Sequence, residues 1–151
     1  VCIDKIESPR GLGTTSKIGR AVPLNSGSVG KVLLAFQSTE AREHLLDTLE
    51  LARFTDRTIT SPDTMRAEIE RIRRKGFCLS LGEGEVDMAC IAAPIFDHTA
   101  RVSAGLSVGG HIQRFEDTDN ARKLTAQLID AARQISEKLG CAEIPEFETA
   151  A

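Results

Sequence analysis

MACIAAPIFDHTARVSAGLSVG, residues 88–109, reads as two strands and the turn between them. Met88 to Phe96 and Arg101 to Gly109 carry the branched and small apolar residues of strands, and the polar turn Asp97-His98-Thr99 joins them over a hairpin's length. Strands joined this tightly run antiparallel. Alternate side chains of a strand face opposite ways. The second strand therefore shows Val102, Ala104, Leu106 and Val108 on one face, and Ser103, Gly105, Ser107 and Gly109 on the other. A face of serine and glycine alone suits either a closely packed helix or the floor of a small-molecule pocket, and the pattern leaves both open. The first strand divides into Met88, Cys90 and Ala92 against Ala89, Ile91 and Ala93.

Outward from this hairpin, Phe77 to Leu81 reads as a third strand, turned by Gly82-Glu83-Gly84-Glu85. Ser61-Pro62-Asp63 is a helix start (cap, proline in the first turn, then an acid), Met65, Ile69 and Ile72 keep one side apolar, and Gly76 ends it. Thr118 to Leu139 places Leu124, Leu128, Ala131, Ile135 and Leu139 at steps of three and four before Gly140. Glu40 to Leu51 forms a shorter helix carrying Leu45, Leu46 and Leu49. Asn25 and Ser26 are N-cap residues for a helix running into Val32 to Phe36. Val1 to Ser8 and Thr14 to Val22 read as a hairpin broken at Ser8-Pro9-Arg10-Gly11. The expectation is an α+β domain over residues 1–140, an antiparallel sheet with helices packed against it, and a frayed tail over 141–151.

Composition narrows the function classes. A chain of 151 residues with 41% hydrophobic residues suits one core, built without Trp or Tyr from aliphatic side chains. The net charge is -3, and the densest basic run, Arg71 to Lys75, falls at a helix C-terminus, where cations suit the dipole. That excludes direct DNA binding by these residues. No apolar run approaches the roughly 20 residues of a membrane helix, and a soluble, cytoplasmic chain is expected. Cys2, Cys78, Cys90 and Cys141 include no CxxC pair, and His44, His98 and His111 supply no metal spacing. No metal and no cofactor are expected. Gly30-Lys31 lacks the spacing of a phosphate-binding loop, and neither Gly11-Leu12-Gly13 nor Gly82-Glu83-Gly84 completes a dinucleotide fingerprint. The remaining polar feature is the helix start at Asn25 to Gly30, whose free amides attract an anion.

The run Gly19 to Phe36, with Pro23-Leu24, Gly30-Lys31 and Leu34-Ala35, resembles the effector-binding domain of IclR-type bacterial transcriptional regulators. So, in order, do Phe54 to Thr60, Ile69 to Ser80, Gly82-Glu83, Ala89 to Asp97 and Ala104 to Gly110. The resemblance covers nearly the whole chain. It implies a GAF-like or profilin-like fold, and a winged helix-turn-helix DNA-binding domain preceding Val1 in a longer protein. It also implies assembly to dimers or tetramers, a small-molecule effector among carboxylic or aromatic acids, and no catalysis. Carried onto this chain, the effector positions are Ser28, Val29, Ser80, Met88, Cys90, Ser107 and Gly109. Some family members carry an acid at the position of Ser80 and a serine at that of Gly109. The departures here point to a larger or more apolar effector than a two- or three-carbon oxoacid.

Two other readings compete. A redox GAF-like reductase would need Cys78 and Cys90 as accessible neighbouring thiols. A pure oligomerisation domain would fill the Ser/Gly face with packing and leave no ligand space.

Overall fold

The computed structural model describes residues 1–9 and 16–148. Eight elements follow one another among these residues: α1 (Ser28–Ala35), α2 (Thr39–Thr48), α3 (Pro62–Lys75), β1 (Cys78–Leu81), β2 (Met88–Phe96), β3 (Val102–His111), α4 (Gln113–Glu116) and α5 (Thr118–Lys138). The strands form an antiparallel sheet in the order β1-β2-β3.

Local signals place most of these elements. Ser61 caps α3 through Thr64 N–H, Pro62 stands in its first turn, and Gly76 ends it in the left-handed conformation at φ 72°. Asp117 caps α5 by accepting from Asp119 N–H and Asn120 N–H. The β2–β3 turn is closed by Asp97, whose carboxylate accepts from Thr99 N–H at 2.8 Å and from Thr99 Oγ1–H at 2.6 Å.

The sheet divides two cores. On one side Ala89, Ile91, Ala93 and Ile95 pack with Phe115, Leu128 and Ala132 of α4 and α5. On the other Cys78 and Ala92 pack with Val32, Leu34 and Ala35 of α1, Leu46 of α2, and Met65, Ile69 and Ile72 of α3. Each fully buried branched side chain contributes about 2 kcal/mol by leaving water. Among the described residues, no helix is long and apolar enough to cross a membrane.

Several expectations shift. Helix α1 begins at Ser28, after Gly27 at φ 102°, and no side chain caps it. Asn25, the expected cap, instead sends its amide to Ala52 O and Ile59 O, both at 2.9 Å. The same bond holds the Ala52 carbonyl outside any helix, and α2 stops at Thr48 rather than running to Leu51. The N-terminal segments meet through Cys2 N–H to Arg20 O and Gly19 N–H to Cys2 O but form no strand, and residues 10–15 lie outside the described part. A register shift between Ile95 and Phe96 makes Ser103 an extra residue, so Val102 rather than Ser103 stands opposite Phe96. Over its described residues the tail packs back onto the domain. Cys141 is buried, Phe147 meets Phe36 edge-on with ring centres 5.8 Å apart, and Glu148 N–H donates to Arg74 O.

Candidate functional site

The register sets the site. Ser80, Cys90 and Gly109 stand opposite one another across all three strands, Cys78, Ala92 and Ser107 form the next row, and Met88 pairs with His111. Opposite residues of an antiparallel pair share a face, so Ser80, Met88, Cys90, Ser107 and Gly109 lie on one side of the sheet. Helix α1 crosses that side. A Cβ on Gly105 would stand 3.1 Å from Val29 Cγ1, and Ser28 N–H donates to Cys90 Sγ at 3.4 Å. All seven positions implied by the resemblance thus belong to one face, at and beside the start of α1.

They are not equally accessible. Ser28 and Ser80 are buried, Val29, Met88 and Cys90 half-buried, and Ser107 and Gly109 exposed. The two ends of the Ser/Gly face therefore differ. Val29 closes the Gly105 end by packing, whereas Ser107 and Gly109 stay exposed at the other. Among the described residues the Ser28 hydroxyl is buried without a hydrogen-bond partner. Orphaned buried groups of this kind are rare and costly.

Beneath α1 lies a charged cluster that sequence reasoning missed. Lys31 is fully buried, with Nζ 2.6 Å from Glu83 Oε1 and 3.3 Å from Glu68 Oε1. Burial works against the Lys31 charge, but the Glu83 and Glu68 carboxylates prevail and hold its titration above the usual lysine range. Arg71 pairs with Glu68 at 2.7 Å. Burial pushes the Glu68 carboxyl up, yet the hydrogen bond from Arg71 and the charge of Lys31 hold it below the usual range. The second Glu83 oxygen is buried without a partner. The Glu83 carbonyl accepts from Thr58 Oγ1–H at 2.6 Å, so the β1–β2 turn is tied to the loop before α3 as well as to α1. The one available signal was a lysine inside the apolar run Val29 to Leu34.

The opposite face carries a cavity of about 330 Å³, lined by Ser8, Val108, Gly109, Gly110, Arg114, Phe115, Asn120 and Leu124. Of the seven site positions only Gly109 borders it. The reductase reading loses its thiol pair: Cys78 is fully buried, and burial pushes its thiol up to about 12. Among the described residues no group of three or more His, Cys, Asp or Glu side chains is placed to hold a metal.

Comparison with known proteins agrees with this fold. The family model described as bacterial transcriptional regulator IclR C-terminal matches residues 1–137. The HTH-type transcriptional regulator KdgR of Escherichia coli is 37% identical over 96% of this chain and 55% of its own length. KipR of Bacillus subtilis, also an HTH-type transcriptional regulator, is 36% identical over 93% of this chain and 56% of its own. The chain thus spans about half the length of these relatives, and they are regulators rather than enzymes. The crystal structure of Thermotoga maritima IclR superposes with a TM-score of 0.86 at 34% identity, covering 91% of this chain and 55% of that one. The inducer-binding domain of PobR from Acinetobacter, solved with 3-hydroxybenzoic acid, shares the fold at a TM-score of 0.70 and 24% identity, over 86% of this chain and 77% of that one. The fold is accordingly the GAF-like α+β fold of effector-binding domains. With the family model matched almost end to end, this chain belongs to the IclR family of bacterial transcriptional regulators, as a C-terminal effector-binding domain.

Proposed function

We propose that this domain senses a small carboxylic or aromatic acid, seated between the start of α1 and the exposed end of the Ser/Gly face. The observation that carries the reading is the uncapped start of α1, with its buried and unpartnered Ser28 hydroxyl, on the same side of the sheet as Ser107 and Gly109. The first amides of a helix have no acceptor of their own and favour an anion. In this reading the amides of Ser28 and Val29 hold the carboxylate, and the acid displaces Cys90 Sγ from Ser28 N–H. Ser80 and Ser107 supply hydroxyls, Gly109 leaves room, and Met88 and Cys90 shape the apolar wall. The domain works within a cytoplasmic homo-oligomer, dimer or tetramer, and reaches DNA through an N-terminal winged helix-turn-helix domain outside this chain. Occupancy then alters operator affinity by no more than the acid's differential affinity for the two arrangements of the oligomer.

Thermal-shift measurement against a panel of small aliphatic and aromatic acids tests this. A ligand that binds only the folded state raises the melting temperature by mass action, about 2.7 kcal/mol at a hundredfold excess over Kd. The expected result is a concentration-dependent rise with one class of acid, abolished by Ser107→Leu. A rise that survives Ser107→Leu moves the site elsewhere, and no rise with any acid removes the acid reading.

A further inference from the structure

The four cysteines stand in different surroundings. Cys78 and Cys141 are buried, and Cys2 lies on the N-terminal segment with its thiol donating to Asp4 O. Cys90 is half-buried and its sulfur accepts the Ser28 N–H at 3.4 Å. Helices α2, α3 and α5 each have a side-chain cap at their start, whereas α1 and the four-residue α4 have none. In α1 the first amide, Ser28 N–H, meets the Cys90 sulfur. The Ser28 hydroxyl, on the residue that meets this sulfur, is sealed from solvent and has no partner. A half-buried thiol, an uncapped helix start and an unpaired hydroxyl thus come together on one face.

We infer that Cys90 is an oxidation site, where a hydroperoxide converts the thiol to a sulfenic acid whose new oxygen sits on the start of α1. The sulfur lone pair attacks one peroxide oxygen, the S–O bond forms and the O–O bond breaks. Sulfur loses two electrons and the peroxide gains them. The thiol proton ends on the departing oxygen, which leaves as water or an alcohol. The Ser28 N–H stands against the sulfur, where the transferred oxygen can accept it once the S–O bond has formed. Cys78, on the neighbouring strand, lies beyond bridging reach. Cys78 pairs with Ala92, so Cys90 is its diagonal neighbour, roughly 7–8 Å away, beyond the usual span of a disulfide. Under the acid-sensing reading, on which this part rests, the added oxygen occupies the carboxylate's place. Oxidation and acid binding then exclude one another.

The test treats the folded protein with hydrogen peroxide, traps sulfenic acid with dimedone and reads each cysteine by peptide mass spectrometry. Cys90 is expected to label at least tenfold faster than Cys2, Cys78 or Cys141, and Cys90→Ser to lose that fast label. Ser28→Pro removes the N–H and the side-chain hydroxyl and sets a ring carbon where the N–H stood, at a first helical position where proline is tolerated; it is expected to slow Cys90 labelling about tenfold with the circular dichroism unchanged. If that variant does not fold, Ser28→Ala takes its place, with slowing of threefold or more expected. Labelling of Cys90 no faster than Cys2, or a rate indifferent to the Ser28 variants, overturns the inference. If an acid binds through Ser107 and Cys90 stays inert to peroxide, this inference fails while the sensing reading stands. Fast labelling that no bound acid slows overturns the shared location.

Discussion

The two faces of the sheet are built from different chemistry. Toward α5 the buried surface is Ala89, Ile91, Ala93 and Ile95 against Phe115, Leu128 and Ala132. Its buried serine, Ser136, is fully used, accepting from Phe96 N–H at 3.0 Å and donating to Ala132 O at 2.8 Å. Toward α1 the sheet meets Asn25, Ser28, Lys31 and Ser80, all buried, and two polar atoms there have no partner. One face is mainly apolar, and the buried serine on it is fully paired. The other departs from that pattern where a site is proposed, as functional regions of folded proteins do.

The sharpest way to break this comparison is Lys31→Met. It leaves Glu83 and Glu68 facing each other without their buried cation, a loss of about 3–5 kcal/mol, read by urea unfolding. Adding Glu83→Gln is expected to recover part of it. A cost near that of a surface substitution would mean that the cluster is structurally idle. Next comes Ile91→Ala on the α5 side, which empties a fully buried position and costs about 2–4 kcal/mol. Its acid-induced thermal shift is expected to match that of the unaltered domain, and a lost shift would show that the faces are not separable. Gly105→Ala comes third. Its Cβ would press Val29 Cγ1 at 3.1 Å, for about 1 kcal/mol, whereas Ser107→Leu at the exposed end is expected to stay within about 0.5 kcal/mol. Equal costs by thermal denaturation would erase the distinction between the two ends.

The smallest effect is on pH dependence. The Glu68 carboxyl is raised by burial but lowered more by Arg71 and Lys31, so its folded value lies below its unfolded one. Its contribution is present above the unfolded value, about 4.3, and lost as pH falls through the lower folded value. Glu68→Gln is expected to flatten the fall in stability over that acid range, while Ile91→Ala leaves its slope unchanged. Identical slopes for both variants would place the acid sensitivity elsewhere.

Sequence reading reached what neighbours in the chain determine. Ser61-Pro62-Asp63 and Gly76 bound α3, and residues 88–96 form β2, because caps, glycine and strand alternation act within a few positions. The site face was legible for the same reason: alternation in β3 sorts Ser107 and Gly109 from Val108 before any contact is known. What it missed acts across distance. Lys31 meets Glu68 and Glu83, 37 and 52 residues away, and no periodicity announces such a pair. Asn25 caps nothing because its amide is claimed by Ala52 O and Ile59 O. The short α4 lacks the length over which a helical pattern shows.

The described end of the chain carries a consequence for where this domain may be cut. Gly76 turns at φ 72°, and a Cβ there would lie 2.2 Å from the Phe147 ring. Phe147 in turn covers Phe36, which meets Phe96 with ring centres 5.5 Å apart. A boundary drawn at Gly140 would strip the lid from the ends of α1, α3 and β2 together. A fragment trimmed there, or a fusion partner joined directly after Leu139, would leave Phe36 without the ring that covers it.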